Sequence, residues 1–257
     1  MDVRGFHPRA FYRRLRGVPP PPAPPAGPDP WDLKSVNVAF VDAIMNVMPH
    51  DEAMEVAIGG GFEVYGAIQA ATLRHYGLPQ DGYLIDVGCG SGRLAKPLSA
   101  WLKGRYLGID LVPALVEHAR TLAARPDWRF EVIDHIGIPE ADGVADMVCF
   151  FSVLTHLLHE QSYLYLEEAR RVLKPGGTIV FSFLEFREPG HMDVFRATVS
   201  EARKRARHPL NVFIDHHAIH AWAAELGLEL VEIRGGAELI VPEGAQGQAT
   251  CVLRKPG

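Results

Sequence analysis

The chain has 257 residues, 47% apolar and 22% charged, the balance of an ordinary globular protein able to bury a sizeable core. A formal net charge of −5 argues against a surface that coats nucleic acid. No run of about 18 uninterrupted apolar residues occurs, which excludes a helical membrane span.

In chain order, the first segment differs from all that follows. An arginine-rich start leads into P-P-P-P-A-P-P-A-G-P-D-P, which cannot form helix or sheet. Residues 1–30 therefore read as an exposed tail or spacer, or as a docking peptide for a protein partner. They have no apolar core of a secretory signal. Residues 31–78 read as a helical cap: one helix over Val36–Val47, a second after Pro49, and a third from Phe62 to His75 ending at Gly77-Leu78-Pro79. The glycines in Ile58-Gly59-Gly60-Gly61 either let this segment fold over a ligand, with Tyr65 touching it, or simply join two helices.

From residue 79 to 257 strands and helices alternate. Strands are expected at Y-L-I-D-V, R-Y-L-G-I-D, W-R-F-E-V-I-D, A-D-M-V-C-F-F and T-I-V-F-S-F, with helices from Arg93, from Pro113 and near 160–173. A polar helix over about 191–207, within a lid-like insertion at about 187–210, an apolar helix near 217–226 and two final strands complete the pattern. Short apolar strands separated by helices imply βαβ units and a mainly parallel sheet. Lys174-Pro175-Gly176-Gly177 reads as a turn, and Asp146 as a strand-start residue. Cys89, Cys149 and Cys251 form no CxxC pair and have no metal spacing, so they read as packed thiols of a cytoplasmic protein.

The stretch L-I-D-V-G-C-G-S-G-R-L-A, residues 84–95, carries the chemistry. In an open parallel sheet ligands sit beyond the carboxyl ends of the strands, where Gly88, Gly90 and Gly92 allow close backbone approach. A dinucleotide fingerprint needs a glycine where Arg93 stands, and a P-loop needs Gly-Lys-Ser/Thr; both fail. Asp86, just ahead of the glycines, disfavours a pyrophosphate and favours a cation. S-adenosylmethionine, with a sulfonium and an ammonium and no phosphate, suits that charge, and the glycine amides can hold its carboxylate. At the end of the second strand Asp110 can accept both ribose hydroxyls while Leu111 covers the adenine. At the end of the third, Asp134 can accept from the adenine amino group while Ile136 packs on the ring.

D-V-G-C-G-S-G-R, G-I-D-L, A-D-M-V-C-F-F-S-V-L-T-H-L and R-R-V-L-K-P-G-G together resemble bacterial class I S-adenosylmethionine-dependent methyltransferases over about residues 80–185. The resemblance implies a Rossmann-like α/β fold: a seven-stranded sheet of order 3-2-1-4-5-7-6, last strand antiparallel, helices on both faces. It further implies that Asp86, Gly88, Cys89, Gly90 and Gly92 hold the methionine end. Asp110 and Leu111 would take the ribose side, Asp134, His135 and Ile136 the adenine, and Phe151 and Ser152 would stand beside the methyl group.

Methyl transfer is an in-line displacement, so alignment and water exclusion suffice until the acceptor is an alcohol, which also needs a base. His156 is the candidate base; the alternative is a histidine fixing its loop. His216, His217 and His220 form a second cluster, read as a helix start capped by Asp215, a substrate-side base or a metal site. No metal is expected. The basic A-R-K-R-A-R-H run reads as a solvated face, or as contact with an acidic partner. The Asn-Pro-Pro-aromatic signature of amino-directed nucleic-acid methylation is missing after the fourth strand. The expected activity is methylation of a small molecule, on oxygen, of a sugar, polysaccharide precursor or secondary metabolite. N-methylation and a non-catalytic cofactor-binding protein are the alternatives.

Overall fold

A computed structural model describes residues 33–204 and 210–257. The tail expected over 1–30 and most of the basic run at 202–208 lie outside the described residues. The main sheet is built from β1 (Tyr83–Val87), β2 (Arg105–Asp110), β3 (Arg129–Val132), β4 (Ala145–Phe150), β5 (Leu173–Phe183), β6 (Glu229–Arg234) and β9 (Ala249–Arg254). Their order is β3-β2-β1-β4-β5-β9-β6, with β9 antiparallel to both neighbours. This is the expected topology, with β9 in the seventh place. A two-stranded hairpin, β7 (Leu239–Val241) with β8 (Gly244–Ala245), intervenes as an addition to the expected pattern; Val241 packs on Ile68 and Ala71.

The central strands are mainly apolar because both faces of the sheet are covered. Every residue of β1 is buried. Ile85, Val148 and Phe181 share one core with Leu166 of α6 (His159–Val172) and Ile219 of α8 (His216–Glu225). Leu84, Met147 and Val180 share the opposite core with Leu73 of α3 (Phe62–His75), Leu98 of α4 (Ala95–Ser99) and Ala119 of α5 (Pro113–Ala123). Burying each such aliphatic side chain contributes roughly 1.5–3 kcal/mol. A third cluster joins α1 (Leu33–Met45) and α2 (His50–Ala57) to the domain, with Ile44, Met54 and Val56 packed around Val112 and Leu115. The helix α7 (Pro189–Arg203) follows β5.

Three local expectations are corrected. The helix expected from Arg93 begins at Ala95 and spans five residues. Arg93 itself is turned back, its Nη1 donating to the Ile58 and Gly60 carbonyls at 3.0 and 3.4 Å. The third strand stops at Val132, so Asp134 lies in the loop beyond it. Residues 174–177 are an irregularity inside β5, where pairing jumps from Ala145–Leu173 to Met147–Thr178 with Gly176 at φ +79°. Asp146 is a brace at the base of the sheet: it accepts from the Tyr83 N–H and from Lys174 Nζ, each at 2.7 Å.

Candidate functional site

Strand order reverses on either side of β1, which pairs with β2 on one edge and β4 on the other, and the crevice beyond the carboxyl ends there is the expected ligand position. A cavity of about 320 Å³ occupies it, within the range of small-molecule sites. Its wall is formed by the glycine loop, the ends of β2 and β4, Thr155 and His156 of the 3-10 turn Leu154–His156, Phe40, Val41 and Gln69 of the N-terminal helices, and Ile58 just after α2.

The backbone N–H groups of the loop are engaged, mostly with the end of β2. Gly88 and Cys89 N–H both donate to the Ile109 carbonyl at 2.7 and 3.0 Å, and Gly92 N–H to the Cys89 carbonyl at 3.1 Å. Gly90 N–H donates to Asp110 Oδ2 at 3.0 Å. The expectation that these glycine amides hold a carboxylate therefore does not fit, because their donors are already engaged. The glycines serve close approach instead. A Cβ on Gly88 would lie 2.3 Å from Val153 Cγ2, and one on Gly90 2.7 Å from Ile58 Cγ2.

Asp86 is buried; its Oδ2 accepts from the Tyr106 hydroxyl at 2.6 Å and its Oδ1 from the Cys149 thiol at 3.5 Å. Burial pushes its carboxyl up to about 6, against the pull of those two hydrogen bonds. Arg93, which enters the sequence pattern only as the residue that breaks a dinucleotide fingerprint, lines the same cavity, and burial lowers its guanidinium to about 10. A desolvated carboxylate and a desolvated guanidinium on one wall form a matched pair for the ammonium and carboxylate of an amino acid. Asp110 also lines the cavity. Its Oδ1 accepts from Val112 N–H at 3.0 Å, and burial raises its carboxyl, opposed by its backbone hydrogen bonds. A carboxylate has about four acceptor sites, so backbone donors do not exhaust its capacity for a ligand hydroxyl.

Beyond β4, Phe151 and Ser152 line the cavity. Ser152 holds φ +61°, uncommon for a residue with a Cβ. Its N–H donates to Ser182 Oγ at 2.8 Å, and both serine hydroxyls donate to Gln248 Oε1, at 3.2 Å from Ser152 and 2.7 Å from Ser182. Gln248 joins the wall from the start of β9, and nothing in its local sequence marks it. His156 lines the cavity too, its Nδ1 2.6 Å from the Leu210 carbonyl. A carbonyl only accepts, so Nδ1 carries the proton and Nε2 the lone pair. Burial lowers the His156 imidazole, so the neutral ring is favoured.

The structure thus brings Asp86, Gly88, Cys89, Gly90, Asp110, Leu111, Phe151, Ser152 and His156 to one cavity. It does not bring Gly92, Asp134, His135 or Ile136 to the wall. Gly92 is packed against α5, where a Cβ would sit 2.8 Å from Ala119 Cα. Asp134 is largely solvent-exposed and pairs with Lys34 of α1 at 3.2 Å, because its strand ends two residues early. Tyr65 also stays off the wall; its ring faces the Arg93 guanidinium, 5.8 Å away. Nor do the clustered histidines reach the cavity. Asp215 caps α8 through the His217 N–H at 2.8 Å. His216 Nε2 lies 2.8 Å from Glu185 Oε2 without hydrogen-bond alignment, and His217 and His220 are exposed.

Residues 85–181 match the family described as a methyltransferase domain. Over 152 residues, 59% of this chain and 51% of the relative, the chain is 34% identical to a "Probable S-adenosylmethionine-dependent methyltransferase" of Mycolicibacterium smegmatis. Over 114 residues it is 33% identical to a malonyl-acyl-carrier protein O-methyltransferase of Hahella chejuensis, covering 44% of this chain and 39% of that one. The chain therefore spans about half, or less, of the length of these two relatives. Among solved structures, the S-adenosylmethionine-dependent methyltransferase SibL in its apo form superposes with a TM-score of 0.62 at 17% identity, over 100% of this chain and 72% of SibL, a likeness of fold. Residues 85–181 of the chain thus match a methyltransferase-domain family, and the fold is one shared with an S-adenosylmethionine-dependent methyltransferase of known structure.

Proposed function

We propose that the chain transfers a methyl group from S-adenosylmethionine to a hydroxyl of a small molecule. Asp86 and Arg93 would hold the ammonium and carboxylate of the methionine end, and Asp110 the ribose hydroxyls. When bound, the cofactor supplies an activated methyl group, so no further electrophilic assistance is required. The chain's own work is to align the acceptor, exclude water and remove the acceptor's proton.

The observation that carries the oxygen reading is His156. Its Nδ1–H is committed to Leu210, burial favours the neutral ring, and its remaining nitrogen is a base on the cavity wall. A neutral amine acceptor would need no such group. The O-methyltransferase named among the relatives points the same way. Acceptors carrying an apolar or ring face suit the rim. Close in sequence to the wall residues Leu184 and Val194, Phe186 stacks on Phe213 with centroids 4.5 Å apart, and Phe195 meets both edge-on. Under this reading α1 and α2 act as a cover and α7 as a lid. The buried, unpaired thiols of Cys89, Cys149 and Cys251 fit a cytoplasmic setting. No helix of the described residues is long and apolar enough to cross a membrane.

The test is transfer of labelled methyl from S-adenosylmethionine to a panel of alcohols, phenols and amines. Label on a hydroxyl compound, lost in His156→Ala while cofactor affinity is kept, supports the reading. Label only on amines, or none at all with tight cofactor binding, overturns it.

A further inference from the structure

Outside the cavity, two imidazoles face each other across the seam between the N-terminal helices and the domain. His50 opens α2 and His118 lies on α5, and His50 Nε2 is 3.3 Å from His118 Nδ1. Asp51, in the first turn of α2, brings a carboxylate oxygen to the same place. All three ligand atoms lie within 4.8 Å of one another. Among the described residues this is the one such group of histidine, cysteine or acidic side chains, and it is not the His216–His220 cluster that the sequence singles out.

We propose that His50, Asp51 and His118 form a site for a divalent transition-metal ion of the zinc type. A tetrahedral ion with metal–nitrogen bonds of about 2.0–2.1 Å sets two ligand nitrogens about 3.3–3.4 Å apart. The two imidazole nitrogens already have that spacing. The carboxylate has to close by at most roughly 1.5 Å, a distance within reach of rotation of an exposed aspartate side chain. Two imidazoles and one carboxylate are a borderline ligand set, preferring zinc, cobalt or nickel over magnesium or calcium. Water completes the fourth position, since only three protein ligands converge.

The position gives the ion a consequence. Helix α2 carries Ala57 and leads into Ile58 on the cavity wall, while α5 carries Leu115 on the same wall. The seam is otherwise held by apolar contact of Met54 and Val56 with Val112 and Leu115 and by hydrogen bonds from Ser91 and Arg93 to the Met54, Ile58 and Gly60 carbonyls. An ion bound at its outer edge clips the cover to the domain. A folded-state site of this kind stabilises the fold by mass action. His50, Asp51 and His118 all lie outside the cavity, so ion binding there is measured separately from the proposed methyl transfer.

The full chain, stripped of metal with a chelator, is titrated with Zn²⁺ by calorimetry and with Co²⁺ by visible absorption. One ion per chain is expected, with the intense visible bands of four-coordinate cobalt and an upward shift of the unfolding midpoint on adding Zn²⁺. His50→Ala and His118→Ala should each weaken binding by at least about tenfold. Asp51→Asn, which leaves the imidazole pair intact, should weaken it as well, separating an ion site from a plain N–H···N hydrogen bond. His217→Ala and His220→Ala should bind as the unaltered chain does. The proposal is overturned if the unaltered chain takes up no stoichiometric ion. It is overturned equally if the His50→Ala/His118→Ala double variant binds with the same affinity.

Discussion

The N–H of Gly90 donates to Asp110 Oδ2 at 3.0 Å, so the glycine loop after β1 is braced by the carboxylate that ends β2. One side chain therefore shapes the loop and, in the proposed function, accepts the ribose hydroxyls. Asp110→Ala should lower affinity for S-adenosylmethionine by roughly ten- to a hundredfold, the range for lost hydrogen bonds to a charged group. The unfolding midpoint should fall as well. Calorimetry and thermal unfolding read the two effects, and a variant that binds normally would remove Asp110 from the site.

Asp86 confers a pH dependence. Its carboxyl titrates near 6 in the folded chain, chiefly because it is buried, against an ordinary value of 3.8 when exposed. Between those values the folded state binds more protons than the unfolded state. The stabilisation is thus complete below about pH 4 and is lost as pH rises through about 6. The size is on the order of 3 kcal/mol. Asp86→Asn should flatten that dependence in urea unfolding between pH 4.5 and 7. A cationic ligand favours the ionised carboxylate, so cofactor affinity should strengthen as pH rises through 6 in the unaltered chain and not in Asp86→Asn.

For His156 the expected signature is a split. His156→Gln should cut the turnover of a hydroxyl acceptor by roughly a hundredfold or more, the usual contribution of a positioned base. Cofactor affinity should be unchanged. Since burial lowers the imidazole, activity of the unaltered chain should hold down to a pH below the ordinary histidine value of 6.5 and then fall. Equal loss of cofactor binding would show a structural role only.

Two glycines of the loop should fail in different ways. Gly92 holds φ +91° with α5 backbone 2.8 Å from where a Cβ would sit. Gly92→Ala should destabilise the fold by at least about 1–2 kcal/mol from backbone strain, before any packing shift. Gly88 holds φ +74°, so Gly88→Ala carries similar backbone strain, but its Cβ meets only the Val153 side chain, which lines the cavity and can move. The fold should persist while cofactor affinity drops. Gly88→Ala/Val153→Ala should recover part of that affinity, and no recovery would place the defect in backbone strain alone.

The sheet order is legible in the sequence because the strands of the 82–183 region are short, mainly apolar runs separated by helical stretches. The register of those runs is forced by burial on both faces. Asp86 and Asp110 are legible for a related reason: a carboxylate at the tip of a buried strand is costly unless a partner or a ligand compensates it. Asp134 misleads because the apolar run W-R-F-E-V-I continues past Val132, where the ladder ends, so the chain turns away before reaching it. Arg93 does carry a signal, a lone cation between a glycine loop and an apolar helix. Gln248 and Ser182 carry none, since their meeting with Ser152 depends on β5 and β9 pairing across a long sequence separation. The facing of His50 and His118 likewise arises only when α2 docks on α5.

The most direct test is calorimetric titration of the full chain with S-adenosylmethionine, repeated with Asp86→Asn, Arg93→Met and Asp110→Ala. One molecule bound per chain is predicted, with weaker binding in all three variants. Absence of binding, or uptake of a pyridine dinucleotide in its place, would contradict a sulfonium-nucleoside site at the tips of β1 and β2.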